Sequence, residues 1–185
     1  MKSGLIRPTR GVSHRLPSCL CSDSAGSSVP RGESAGVTYE RHRGEFVITT
    51  DDRRFDLDAI YAYLSGEAYW SIGIPRDVLV RAIQNSLCFG LLHDGTQAGF
   101  LRVVTDRATF AWVCDVYVRA DQRGKGLGAW LVECMLDHPD LKGLRRIVLA
   151  TRDAHGLYAR AGFTKLQAER WMAIANPHIY ADAGP

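Results

Sequence analysis

The chain lacks any apolar stretch approaching the ~18 residues that a membrane span needs, and it lacks paired Cys/His clusters at metal-binding spacing. Its five cysteines, Cys19, Cys21, Cys88, Cys114 and Cys134, make an odd count. Cys19-x-Cys21 has neither the spacing of a zinc knuckle nor a second ligand pair, so no metal is expected. The other three sit inside apolar periodic segments and read as buried, reduced thiols, which suits a cytoplasmic location. Net charge is also missing from most of the chain. Residues 1–36 hold Lys2, Arg7, Arg10, Arg15 and Arg31 against Asp23 and Glu33, which accounts for the whole formal +3. The remainder balances 18 basic against 18 acidic side chains. A neutral domain gives no electrostatic case for nucleic-acid binding.

Residues 1–36 are rich in Ser, Gly and Pro and have almost no apolar periodicity, so they read as a disordered basic tail. The first 22 residues carry four basic side chains and no acid, a loose match to a transit peptide. A solvated tail is the favoured reading. The run Leu16-Pro17-Ser18-Cys19-Leu20 is too short and broken for a secretory signal.

Residues 37–185 read as one domain of class α+β. Residues 45–50 form a first strand by pattern. Asp56 caps a helix that Gly66 closes, a loop holds Tyr69 and Trp70, and Pro75 opens a second helix. Leu87 to Leu92 and Gln97 to Val104 are strands joined at Asp94-Gly95, a hairpin signal. Thr109 to Val118 is a long third strand of the meander. A helix over 126–136 follows, and the strand at 146–151 is parallel because a helical crossover precedes it. A short helix over 154–161 ends at Gly162, and residues 163–166 and 170–175 read as final strands.

The chemistry-bearing stretch runs Val116-Tyr117-Val118-Arg119-Ala120-Asp121-Gln122-Arg123-Gly124-Lys125-Gly126-Leu127-Gly128. A strand ends, a glycine-rich loop turns and a helix begins. Such a turn leaves main-chain N–H groups unpaired at the positive end of a helix dipole, where a pyrophosphate is a natural guest. No Gly-x4-Gly-Lys-[Ser/Thr] pattern exists, and Gly-x-Gly-x-Gly after a meander is not a dinucleotide fingerprint.

Two motifs carry a family resemblance. Arg123-x-x-Gly126-x-Gly128 resembles the coenzyme A loop of the GNAT superfamily of N-acetyltransferases. Ala154-His155-Gly156-Leu157-Tyr158-Ala159-Arg160-Ala161-Gly162-Phe163 is similar to that family's second signature, one strand further on. The Tyr-Trp loop and the Thr-Arg-Asp-Ala-His-Gly-Leu-Tyr run are similar to a bacterial subgroup. The resemblance spans roughly residues 45–175. It implies a mixed, mostly antiparallel central sheet with flanking helices and a splayed long strand, with acetyl-coenzyme A as cofactor.

The resemblance also implies roles. The main chain of Val116, Tyr117 and Val118 would pair with pantetheine, and the Val116 N–H would polarise the thioester carbonyl. Residues Arg123, Gly124, Lys125, Gly126, Leu127 and Gly128 would hold the pyrophosphate. Tyr158 would protonate the departing thiolate. Thr151 stands where the family often has Asn, and a hydroxyl can replace one hydrogen bond to pantetheine. Asp115, placed by an apolar strand, and His155, with a near-neutral ordinary pKa, are candidate bases for the amine, alongside a water chain with no essential base. Tyr69 and Trp70 would border the acceptor, and Trp112 could join them. Cys114 has no Cys-His-acid spacing and reads as core. The Asp51, Asp52, Asp56 and Asp58 cluster reads as helix-start chemistry.

The leading function is acetyl transfer to a primary amine of a small molecule or peptide by direct attack. A non-catalytic acyl-coenzyme A-binding regulatory module and a protein acetyltransferase are the alternatives. No nucleic-acid or membrane partner is expected, and a homodimer is compatible with the sequence.

Overall fold

The computed structural model describes residues 38–176, 179 and 180. The tail expected over residues 1–36, with Cys19 and Cys21, lies outside them. Six strands form one sheet in sequential order: β1 (Glu40–Arg43), β2 (Phe46–Thr49), β3 (Leu87–His93), β4 (Thr96–Thr105), β5 (Phe110–Val118) and β6 (Arg146–Leu149). Every neighbouring pair is antiparallel except β5 with β6, which is parallel. Among the described residues, four helices flank it: α1 (Leu57–Gly66), α2 (Arg76–Gln84), α3 (Leu127–Asp137) and α4 (His155–Arg160).

Local chemistry explains the boundaries. The β3–β4 turn places Asp94 at φ 47° and Gly95 at φ 78°, the paired left-handed conformation that a two-residue hairpin needs. Asp56 caps α1 by accepting the Ala59 N–H at 3.0 Å, and Asp51 likewise accepts the Arg53 N–H at 3.2 Å. The acidic cluster is therefore helix-start chemistry, as the spacing indicates. Strand β1 is absent from the sequence pattern because its Glu40-Arg41-His42-Arg43 face is charged and mostly exposed. It is an edge strand, where charge discourages further pairing.

The alternation of β4 splits the core in two. Leu101 and Val103, both fully buried, face α3 with Phe89, Leu131 and Met135. Phe100, also fully buried, faces α1 and α2 with Ile60, Leu64 and Leu79.

The final strands expected at 163–166 and 170–175 do not form. Residues 164–167 and 171–176 carry no regular structure, with one short 3-10 turn at Ala168–Arg170 between them. Met172 and Ile174 alternate as a strand would, but among the described residues nothing pairs with them, and both are almost fully exposed.

Leu131→Ala removes a fully buried side chain between α3 and the sheet. Urea denaturation should show a loss of about 2–5 kcal/mol.

Candidate active site

The site begins where β5 leaves β6. Their parallel pairing ends at Val113 opposite Leu149, whereas β5 continues to Val118. Among the described residues, 114–118 therefore have an open edge on the β6 side. A register shift between β4 and β5 falls in the same stretch. Asp115 adopts φ 53°, a left-handed conformation that Asp tolerates better than most residues.

What holds this bend is a buried ion pair. Asp115 accepts from Arg102 Nε at 2.6 Å on one oxygen and from Trp70 Nε1 at 3.1 Å on the other. Arg102 also donates to the Ser86 hydroxyl at 3.1 Å. The side chains of Arg102 and Asp115 are only 16% and 9% exposed. The carboxylate is thus occupied by two donors and ties the Trp70 loop to the strand.

Immediately beyond β5, the loop before α3 places Gly124 at φ 79° and Gly126 at φ 75°. Gly126 is the α3 N-cap, and no side chain caps that helix. Its first N–H groups have no intrahelical acceptor. A substituent at Gly128 would make only ordinary contact with Leu157 Cδ1, at 3.7 Å. The two basic side chains of the loop turn elsewhere. Arg123 donates from Nε to the Val118 carbonyl at 2.9 Å and from its terminal nitrogen to the Tyr63 hydroxyl at 3.1 Å. Lys125 donates to Gln122 Oε1 at 2.7 Å. An anion here would meet main-chain N–H groups first.

A cleft of about 510 Å³ joins these parts. Its walls include Val116, Tyr117 and Val118 of β5, then Arg123, Gly124, Gly126, Leu127 and Gly128 of the loop and helix start. Tyr69 and Trp70 meet Tyr158 across it. Tyr69 also bridges two loops: its hydroxyl accepts the Arg152 N–H at 3.1 Å, and the Arg152 guanidinium lies 3.8 Å from its ring centroid. The open strand edge and the uncapped, glycine-bounded helix start fit the pantetheine and pyrophosphate of a coenzyme A ester.

Comparison with known proteins agrees with this geometry. The family model described as "Acetyltransferase (GNAT) family" matches residues 57–163. A Gibberella zeae protein named as an acetyltransferase is 31% identical over 140 residues, covering 64% of this chain and 78% of that one. A GNAT-family crystal structure from Xanthomonas campestris pv. campestris is 42% identical, with a TM-score of 0.73, covering 76% of this chain and 99% of its own. An L-methionine sulfoximine/L-methionine sulfone acetyltransferase of Pseudomonas aeruginosa is 42% identical over 52 residues, 26% of this chain and 30% of that relative. The chain belongs to the acetyltransferase (GNAT) family.

As a GNAT-family acyltransferase, the chain positions its expected site residues unevenly. Tyr158 is 8% exposed, and burial, followed by the neighbouring Tyr69 and Asp153, pushes its pKa up to about 12. The phenol therefore holds its proton at neutral pH. Among the described residues its hydroxyl has no hydrogen-bond partner. His155 and Thr151 line a neighbouring groove that shares Tyr158 with the cleft. Thr151 Oγ1 accepts the Ala154 N–H at 3.0 Å and supports the start of α4. Trp112 lies on β5 outside the cleft. Burial raises the Cys114 thiol to about 12, which removes it as a nucleophile.

Tyr63, Glu67 and Asp153 also line the cleft and were not legible as site residues. Tyr63 stacks on the buried Tyr117 at 3.8 Å between ring centroids and reads in sequence as helix core.

Arg102→Met leaves the Asp115 charge buried without its cationic partner. It should cost about 3–5 kcal/mol in urea denaturation, and adding Asp115→Asn should recover part of that loss.

Proposed function

We propose that this GNAT acyltransferase moves an acetyl group from acetyl-coenzyme A to a primary amine of a small molecule or peptide by direct attack. The observation that carries this is one cleft in which the open β5 edge, the uncapped α3 start and the Tyr158 phenol converge. When bound, acetyl-coenzyme A supplies an activated thioester. The name of the Pseudomonas aeruginosa relative gives small amino-acid derivatives as its substrates, which supports a small acceptor.

The chain's own groups divide the work. Main-chain N–H groups from Gly124 to Gly128 hold the pyrophosphate, with the dipole of α3 behind them. The main chain of Val116 and Val118 orients the pantetheine, and the Val116 N–H stabilises charge developing on the carbonyl oxygen. Using the Val118 carbonyl in that pairing requires Arg123 to turn away from it. Tyr158 gives its proton to the departing thiolate, which ordinarily titrates near ~8.5, well below the phenol.

The two side chains first considered as bases take other parts. Asp115 positions Trp70, because both of its oxygens already accept hydrogen bonds. His155 stands in the other groove. The amine therefore passes its proton to water at the exposed mouth, where Glu67 and Asp153 lie. Tyr69 and Trp70 form the acceptor wall. The reading needs no metal, nucleic acid or membrane partner. The three free thiols Cys88, Cys114 and Cys134 suit a cytoplasmic enzyme. Among the described residues, no helix is long and apolar enough to cross a membrane.

Tyr158→Phe should lower kcat about 100-fold or more while acetyl-coenzyme A affinity stays nearly unchanged. The wild-type kcat should show no alkaline decline up to about pH 10, since the phenol is still protonated there. A free-thiol assay over that range checks both, and equal loss of affinity and turnover would make Tyr158 a structural residue. Gly126→Asp puts a side chain on a left-handed residue and a negative charge at the helix start. Calorimetry should find acetyl-coenzyme A binding abolished, and normal binding would overturn the loop assignment.

A further inference from the structure

The charges of the edge strand β1 are paired at every position but one. Glu40 pairs with His42 and with Arg54, and Arg41 reaches Asp137, the last residue of α3, at 2.9 Å. Among the described residues, Arg43 alone on β1 has no ion-pair partner, and its exposed guanidinium lies 5.9 Å from the centroid of the Trp130 ring on α3. One terminal nitrogen of Arg43 stands 3.9 Å from where a side chain on Gly126 would begin. Strand β1 therefore presents an uncommitted cation at the start of α3.

That is an unfavourable place for a positive charge with no anion beside it. The positive end of the helix dipole lies there, and α3 has no side-chain cap. Arg41 sits at the end of α3 where the dipole favours a cation, whereas Arg43 sits where it opposes one. An anion shared between the guanidinium and the helix start reverses the sign of that interaction. Arg123 and Lys125 do not supply this charge, because their donors go to Val118, Tyr63 and Gln122.

The place of Arg43 narrows the choice of anion. It is not a wall of the cleft and approaches Gly126 from β1. The pyrophosphate inside the cleft is met by main-chain N–H groups. Coenzyme A carries one further dianion, the ribose 3′-phosphate, and a guanidinium offers it two parallel donors. We propose that Arg43 binds the ribose 3′-phosphate of coenzyme A, leaving the Trp130 ring to do so. This contact rests on the coenzyme A reading of the cleft. It gives the charged edge strand, remote in sequence from the glycine loop, a part in recognising the cofactor.

Calorimetric titration of the full chain with coenzyme A and with dephospho-coenzyme A tests this, since the two ligands differ only by that phosphate. The wild type should bind coenzyme A about 10-fold more tightly than the dephospho form. Arg43→Met keeps an apolar side chain on Trp130 and should bring the two affinities together by weakening coenzyme A alone. Arg43→Lys should restore part of the difference, because it returns the charge without the planar fork. A preference that survives in Arg43→Met overturns the proposal and points instead to Arg160 on the cleft wall. An equal loss for both ligands also overturns it, since the guanidinium would then act on the pyrophosphate or on the fold. A wild type that binds both ligands equally well overturns this contact alone, whereas a wild type that binds neither overturns the coenzyme A reading itself and this contact with it.

Discussion

The structure depends on the Asp115–Arg102 ion pair beneath the β5 bend. A left-handed non-glycine residue in a strand costs about 1–3 kcal/mol and persists only where its surroundings impose it. Here Arg102 on β4 and Trp70 on the α1–α2 loop both donate to the bent residue's carboxylate. The pair braces β5 just beyond Val113, where its pairing with β6 has ended and its edge lines the cleft. The same carboxylate fixes Trp70. One interaction therefore braces the open strand edge and places Trp70 on the cleft wall.

An anion in the cleft would find little help from side-chain charge. Arg123 and Lys125 spend their donors on Val118, Tyr63 and Gln122. The uncapped helix start carries the positive field instead. Such a site is selective by shape, because glycines at 124 and 126 supply backbone that other residues adopt at a cost. It also agrees with a domain whose basic and acidic residues cancel: a neutral surface can still bind a dianion where N–H groups converge.

The meander, the crossover helix and the glycine loop were legible because each has a local cause: alternating apolar residues, Asp-Gly at the hairpin and glycine clustering before an apolar helix. The place of Tyr158 on the cleft wall was legible through its motif. Strand β1 was not, because an exposed charged edge has no hydrophobic period. The part played by Asp115 was hidden for a different reason. The ion pair of an acid in an apolar strand does not show in its sequence neighbours, since Arg102 lies thirteen residues away across a hairpin. His155 was drawn toward the site by nearness to Tyr158 in sequence; it lines the neighbouring groove, which shares Tyr158 with the cleft. The strand expected at 170–175 shows the limit of pattern alone. Alternation reports that a segment can be a strand, but not which edge it would join.

The central claim is that this cleft binds an acetyl-coenzyme A ester, and calorimetric titration of the purified full chain tests it most directly, with free coenzyme A as the control. Micromolar binding of both ligands is predicted, since most of the contact is to pantetheine and pyrophosphate. No binding at millimolar acetyl-coenzyme A would contradict the account and leave the open β5 edge and the uncapped helix without the ligand they fit.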